Sequence, residues 1–157
     1  MIDVEVEDEA WSDALPDVEM VVERAAQAAL DALPPTERDG AVAILLADDD
    51  SVADLNRRFR GKPTPTNVLS FPAAQSAYPH LGDVALAYGV CAGEAEAQGK
   101  RLADHLTHLV VHGVLHLLGY DHETEADAEV MEQMECEILR RFGVADPYAQ
   151  RDADGQL

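Results

Sequence analysis

Apolar and polar residues alternate along this chain with two distinct periods, and the switches between them mark out its elements. Ile2–Val6 alternates apolar with acidic residues, the period of a strand with one face toward water. From Val18 to Leu33 the apolar positions (Val18, Val21, Val22, Ala25, Ala26, Ala29, Leu30, Leu33) follow helical spacing, and Pro34-Pro35 ends the run. Ala41–Ala47 is continuously apolar around Ile44, which predicts a central strand covered on both faces. Ser51 with Asp54 resembles a capping box for a short helix through Leu55 and Phe59 that stops at Gly61.

Asn67–Phe71, bracketed by Pro65 and Pro72, reads as a further strand. A fourth is predicted after Gly82, where Val84, Leu86 and Tyr88 alternate with alanines. The second half reads as helical. A short helix over about Cys91–Gln98 breaks at Gly99, and a longer one over about Arg101–Leu118 is apolar on most sides and therefore central. Thr124 and Asp127 resemble a second capping box. It starts a last helix through Val130, Met131, Met134, Ile138 and Phe142, with Arg140 and Arg141 suited to its C-terminal dipole and Gly143 to its cap. The two methionines fit core filling at that spacing better than a metal or partner surface. The fold class expected is α/β (α+β-like): one compact domain over 1–147 with a small four-stranded mixed sheet, helices packed on it and a central histidine-bearing helix. Residues 148–157 are expected to form a polar, frayed tail.

Composition narrows this picture. A length of 157 residues suits one domain with a real core, and 47% apolar content argues against disorder. The acidic N-terminus lacks the basic start and apolar stretch of a secretory signal, and no apolar run approaches membrane-spanning length; a cytoplasmic protein with no membrane association is expected. Cys91 and Cys136 stand far apart with no CxxC pattern and read as ordinary buried thiols. The net charge of −20 argues against unaided binding of nucleic acid. Yet Arg57, Arg58, Arg60 and Lys62 gather four of the eleven basic residues into six positions. These either cover an acidic surface, which suits Arg57 and Arg58, or bind phosphate. Arg60 lies off the helix face marked by Leu55 and Phe59 and is the better functional candidate.

The candidate chemistry sits in HGVLHLLGYDH. His112 and His116 fall one turn apart on one helix face, Gly119 lets the backbone turn, and His122 can swing back to the same point. An i, i+4 pair alone is better explained by core histidines bonded to carbonyls. Three imidazoles in so apolar a segment point instead to the protein half of a catalytic zinc site, three ligands and an open fourth position. HxxxHxxGxxH is also the spacing of metzincin peptidases, in which a Glu follows the first His as general base. Here that position is Gly113; Asp121 or Glu123 would have to substitute. A third reading, a structural metal in an assembly factor, would close the shell with a fourth protein ligand.

HLVVHGVLHLLGYDH (His108–His122), LNRRFRGKPTPTNVLSFP (Leu55–Pro72) and LGDVALA (Leu81–Ala87) together resemble the YbeY family of bacterial, zinc-dependent endoribonucleases. The resemblance spans about Leu55–Phe142. It implies His112, His116 and His122 as ligands of one Zn²⁺ per chain, with no organic cofactor, and Arg60 as the arginine that holds the RNA phosphate or stabilises developing charge. It further implies cleavage of single-stranded RNA in 16S rRNA 3′-end maturation and ribosome quality control, with an rRNA precursor and the ribosome or its small subunit as partners. Where the family often has an acidic residue after the lysine, this chain has Pro63. His108 is either a group orienting a ligand, an RNA contact or a core histidine; Asp121 either fixes an imidazole tautomer or ends the helix. Arg57, Arg58 and Lys62 are further RNA-binding candidates. His80, Asp83 and His105 read as structural.

Overall fold

The computed structural model describes residues 1–32 and 40–148. The predicted end of the first long helix at Pro34-Pro35 and all of the tail but its first residue lie outside them. Chain order is β1 (Ile2–Val6), α1 (Ala10–Ala14), α2 (Val18–Asp31), β2 (Ala41–Ala47), α3 (Asp49–Arg60), β3 (Val68–Pro72), β4 (His80–Ala87), α4 (Tyr88–Ala97), α5 (Leu102–Leu117) and α6 (Glu125–Arg140). The strands form one mixed sheet in the order β1-β2-β4-β3; β1, β2 and β4 are parallel, and β3 runs antiparallel to β4 along an edge.

One face of the sheet is closed by α2 and α5. Val42, Ile44, Leu46, Val84 and Leu86 point into it and meet Val22, Ala26 and Leu30 of α2 and Leu106, Val110, Val114 and Leu115 of α5, all essentially without solvent contact. The alanines of α2 let it approach α5 closely. Gly113 does the same for α5 against the sheet: a Cβ there would stand 2.9 Å from Val84 Cγ1, 3.2 Å from Ser70 Oγ and 3.3 Å from Val68 Cγ2. Ser70 Oγ donates to the Gly113 carbonyl at 2.9 Å, which ties the helix to β3.

Among the described residues the other face carries α3, which with Val90 of α4 covers Leu69, Ala85 and Ala87, and the β1–β2 half is less covered. The expectation that β2 is buried on both faces is therefore corrected. Val42, Ile44 and Leu46 are buried, while Ala41, Ala43 and Leu45 are only half-buried because one short helix cannot roof four strands. Phe59, expected inward beside Leu55, is 65% exposed for the same reason.

Local details shift other boundaries. The cap of α3 is Asp48, whose Oδ1 accepts from Ser51 N–H at 2.7 Å, so the helix begins before Ser51. Ser51 itself donates through Oγ to Glu7 at 2.7 Å. Gly61 ends α3 with φ +71°, a conformation that favours glycine. The strand β4 starts at His80, ahead of Gly82, and Tyr88 begins α4 instead of ending the strand. Helix α1, which the apolar pattern does not predict, is pinned by buried Trp11: its Nε1–H donates to Ala47 O at 3.0 Å, and its ring meets Tyr88 edge-on. Thr124 caps α6 as expected, accepting from Asp127 N–H at 3.1 Å. Val130 and Phe142, expected on its buried face, are exposed, whereas Met131, Ile138 and Leu139 are buried.

Candidate metal centre

The histidines of α5 form a stripe because residues three and four apart share a helix face. Consecutive rings touch from His105 through His108 and His112 to His116. The helix ends at Leu117, and Gly119 takes φ +97° to turn the chain. That turn returns His122 to the stripe, its ring centroid 5.8 Å from that of His112 and 5.2 Å from that of His116. The Nε2 atoms of His112 and His116 stand 3.1 Å apart. One nitrogen from each of the three rings lies within 4.8 Å of the others.

This donor set fits a divalent cation. Three imidazole nitrogens face one point, none of them is used up by a carboxylate on that side, and exposed His122 leaves the point open to solvent. Burial, followed by the neighbouring His112 and His122, holds the His116 pKa below its ordinary value, which keeps a lone pair available. The candidate ligand groups among the described residues include no cysteine, and Cys91 and Cys136 are both free thiols, Cys91 buried and Cys136 half-buried.

Sequence reasoning missed the group behind the ligands. Glu135 of α6 is fully buried and pairs with His112 Nδ1, so the His112 ring presents Nε2 to the shared point. Tyr148 donates its hydroxyl to the other Glu135 oxygen at 2.5 Å, and His108 Nε2 lies 3.7 Å from it. Burial pushes the Glu135 carboxyl up, but these neighbours outweigh it and hold it well below the usual range, so the carboxylate is ionised. One signal was available: Glu135 falls between Met131 and Ile138 at helical spacing, a carboxylate on an apolar stripe. Tyr148, the first residue of the expected polar tail, is tied into this network and is not frayed.

His108 therefore stands behind the ligands, against Glu135 and the Tyr148 ring, and lines none of the cavities beside them. Asp121 lines the histidine cavity, but its carboxylate accepts from Glu123 N–H at 3.3 Å, a turn role; the imidazole-orienting carboxylate is Glu135. His105 Nε2 bonds Glu94 at 2.9 Å and His80 sits 3.4 Å from Asp83, pairs that stabilise the fold away from the three ligands.

The basic cluster divides. Arg57 and Arg58 both pair with Asp54 on the exposed side of α3, covering acidic surface. Arg60 reaches along the free edge of β3, donates to Ser70 O at 3.2 Å, and lines a cavity of about 400 Å³ together with His112, His116 and His122. Lys62 is exposed and lines neither that cavity nor its neighbours. The peptidase comparison fails on packing as well as on chemistry, since position 113 faces β3 and β4 with no room for a glutamate.

Comparisons with known proteins point the same way. Residues 3–143 match the family model described as Endoribonuclease YbeY. Among curated relatives of that name, the Maricaulis maris protein is 53% identical over 96% of this chain and 93% of its own. The one from Dinoroseobacter shibae is 51% identical over 94% of this chain and 90% of its own. The solution structure of TM1509 from Thermotoga maritima shares the fold, with a TM-score of 0.55 at 22% identity over 99% of this chain and 94% of that one. Matched along nearly its whole length, through the histidine stripe and the strand beside it, this chain belongs to the Endoribonuclease YbeY family.

Proposed function

We propose that this endoribonuclease cuts single-stranded RNA at the three-histidine centre, with Zn²⁺ held by His112, His116 and His122 and the scissile phosphate held by Arg60. One observation carries the reading: the only basic side chain lining the histidine cavity, among the described residues, is Arg60. When bound, such a cation supplies Lewis acidity to a phosphoryl oxygen and acidifies a water molecule.

The chain's own residues do the rest. Glu135 accepts the Nδ1 proton of His112 and so directs Nε2 toward the substrate side. Tyr148 and His108 hold that carboxylate in place. One Arg60 N–H is spent on Ser70 O, which fixes the guanidinium; the remaining donors of its fork serve the phosphate and offset the charge that builds on its oxygens in the transition state. Preorganisation matters here because the chain carries a net charge of −20, so its field repels RNA everywhere except at such local donors.

We assign the substrate as rRNA precursor, the step as 16S 3′-end maturation within ribosome quality control, the setting as the small subunit and the compartment as the cytoplasm. The family resemblance supports these assignments, and no helix among the described residues is long and apolar enough to cross a membrane. A partner on the particle would also supply the affinity that the acidic surface withholds. We assign a single domain over 1–147, with Tyr148 joined to it through Glu135.

Metal analysis paired with cleavage of single-stranded RNA tests the reading in native protein, His112→Ala and Arg60→Ala. His112→Ala is expected to lose bound zinc and activity together, and Arg60→Ala to keep zinc while cleavage falls by about a hundredfold or more, the scale of losing one aimed donor. Normal cleavage by Arg60→Ala removes its catalytic role; zinc-loaded native protein that leaves RNA intact ends the proposal.

A further inference from the structure

Arg60 lines a second cavity as well, about 740 Å³ on the opposite, half-roofed side of β3. Ala43, Leu45 and Ala85 line it, and Phe71 of β3 and Phe59 of α3 stand beside them, ring centroids 5.3 Å apart and planes inclined by 57°. A single exposed phenylalanine needs no explanation. Phe59 is different in that it is held by a second ring at the rim of a cavity over half-covered sheet, next in sequence to the arginine that lines the histidine cavity. Arg60, Ser70 and Pro72 line both cavities, so the two adjoin at the strand edge.

Charge decides what this second cavity accepts. Asp3, Glu5 and Asp83 line it, and Arg60 at the shared wall is its only basic residue among the described ones. Asp121 and Glu123 line the histidine cavity too, but there three imidazoles can hold a cation; this cavity has three carboxylates and no such donor set, so it disfavours the phosphodiester backbone. The part of the strand that fits is the uncharged one, a base with a flat π face.

We propose that the cavity between α3 and the half-covered face of the sheet is a nucleobase subsite: one unpaired base next to the phosphate held at Arg60 stacks on the Phe59–Phe71 pair at its β3 end. This rests on the RNA reading of the histidine centre and deepens it. A base in a duplex has both faces covered and its edge paired, so only an unpaired base enters; the subsite thus supplies the preference for single strands. Stacking on side-chain rings tolerates any base, so the groove selects strandedness without selecting sequence.

The test uses zinc-loaded full-length protein and single-stranded RNA carrying one abasic position, moved stepwise across the cleaved bond. Native protein is compared with Phe59→Leu, which keeps an apolar cover but no ring face, and Phe59→Trp. One flanking abasic position is expected to raise KM of the native protein by roughly tenfold, the scale of a lost base–aromatic stack, with kcat nearly kept. Phe59→Leu should show the same rise on intact RNA and no further rise at that abasic position, and Phe59→Trp should restore native behaviour. Thermal unfolding of the variants checks folding, which an exposed side chain should leave intact. Native cleavage with no abasic position coupled to Phe59, or Phe59→Leu behaving as native, overturns the subsite and leaves the histidine centre standing. Native protein that cleaves no RNA overturns both.

Discussion

The two faces of the sheet are made by the same strands and have opposite fates. On the α2–α5 face the inward residues are large and branched, and helices of good length cover them; on the α3 face the same strands present Ala43, Ala85, acidic Asp3 and Glu5, and a single helix. Alternation within a strand lets one sequence carry a structural and a functional surface back to back. The edge strand β3 is where they meet. Ser70 fastens it to α5 from the closed side, Phe71 stands on the open side, and Arg60 reaches along its free edge. The candidate site is thus held by the closed, buried layer of the molecule and adjoins the half-covered one at the β3 edge.

Neighbouring residues of β2 give the largest contrast. Ile44 is buried on the closed face, so Ile44→Ala should cost about 2–5 kcal/mol, as truncations in close-packed cores do. Leu45, one position on, faces the open side half-covered, and Leu45→Ala should cost less than half as much. Denaturant unfolding of both variants checks this, and equal losses would mean that the open face is roofed in solution. Gly113→Ala comes next, at about 1–3 kcal/mol, because the added methyl must displace Val84 Cγ1, on a β-branched side chain with no solvent contact and little freedom to rotate. A neutral or stabilising result would show that α5 can lift from β3, and the tight support described for the histidines would be wrong.

Periodicity revealed much of this architecture, and the places where it failed share a cause. The strands and the histidine stripe were legible because their periods are strong and because three histidines around a glycine turn have few uses. What a residue meets across space was not legible. Glu135 is one of five glutamates in its helix, and only its register with Met131 and Ile138 sets it apart. Phe59 looked buried because its spacing from Leu55 is helical, but whether a helix face is covered depends on how wide a sheet lies beneath it. Asp48 displaced Ser51 as the cap since its carboxylate, three residues earlier, accepts the N–H of Ser51 itself and starts the helix there. The ligands were local and readable; the groups that orient them arrive from α6 and the segment after it.

The smallest expected effect separates the arginines, and it is informative because it is close to nothing. Arg57 and Arg58 share Asp54 as partner, at 2.5 and 3.1 Å, with side chains 62% and 64% exposed. Ion pairs of this kind gain little in water and lose part of that to side-chain entropy and salt. Replacing both by alanine should leave the unfolding temperature unchanged within error. Cleavage should also hold near the native rate at moderate salt, since neither residue lines the cavities on the two sides of β3. The chain would lose two positive charges, leaving Asp54 unpaired on a surface already carrying a net −20. Any loss should accordingly appear as a higher KM at low ionic strength that fades as salt screens it, with kcat untouched. A fall in kcat would instead place these two side chains at the reacting phosphate, and the division of the basic cluster between acidic cover and a single working arginine would have to be redrawn.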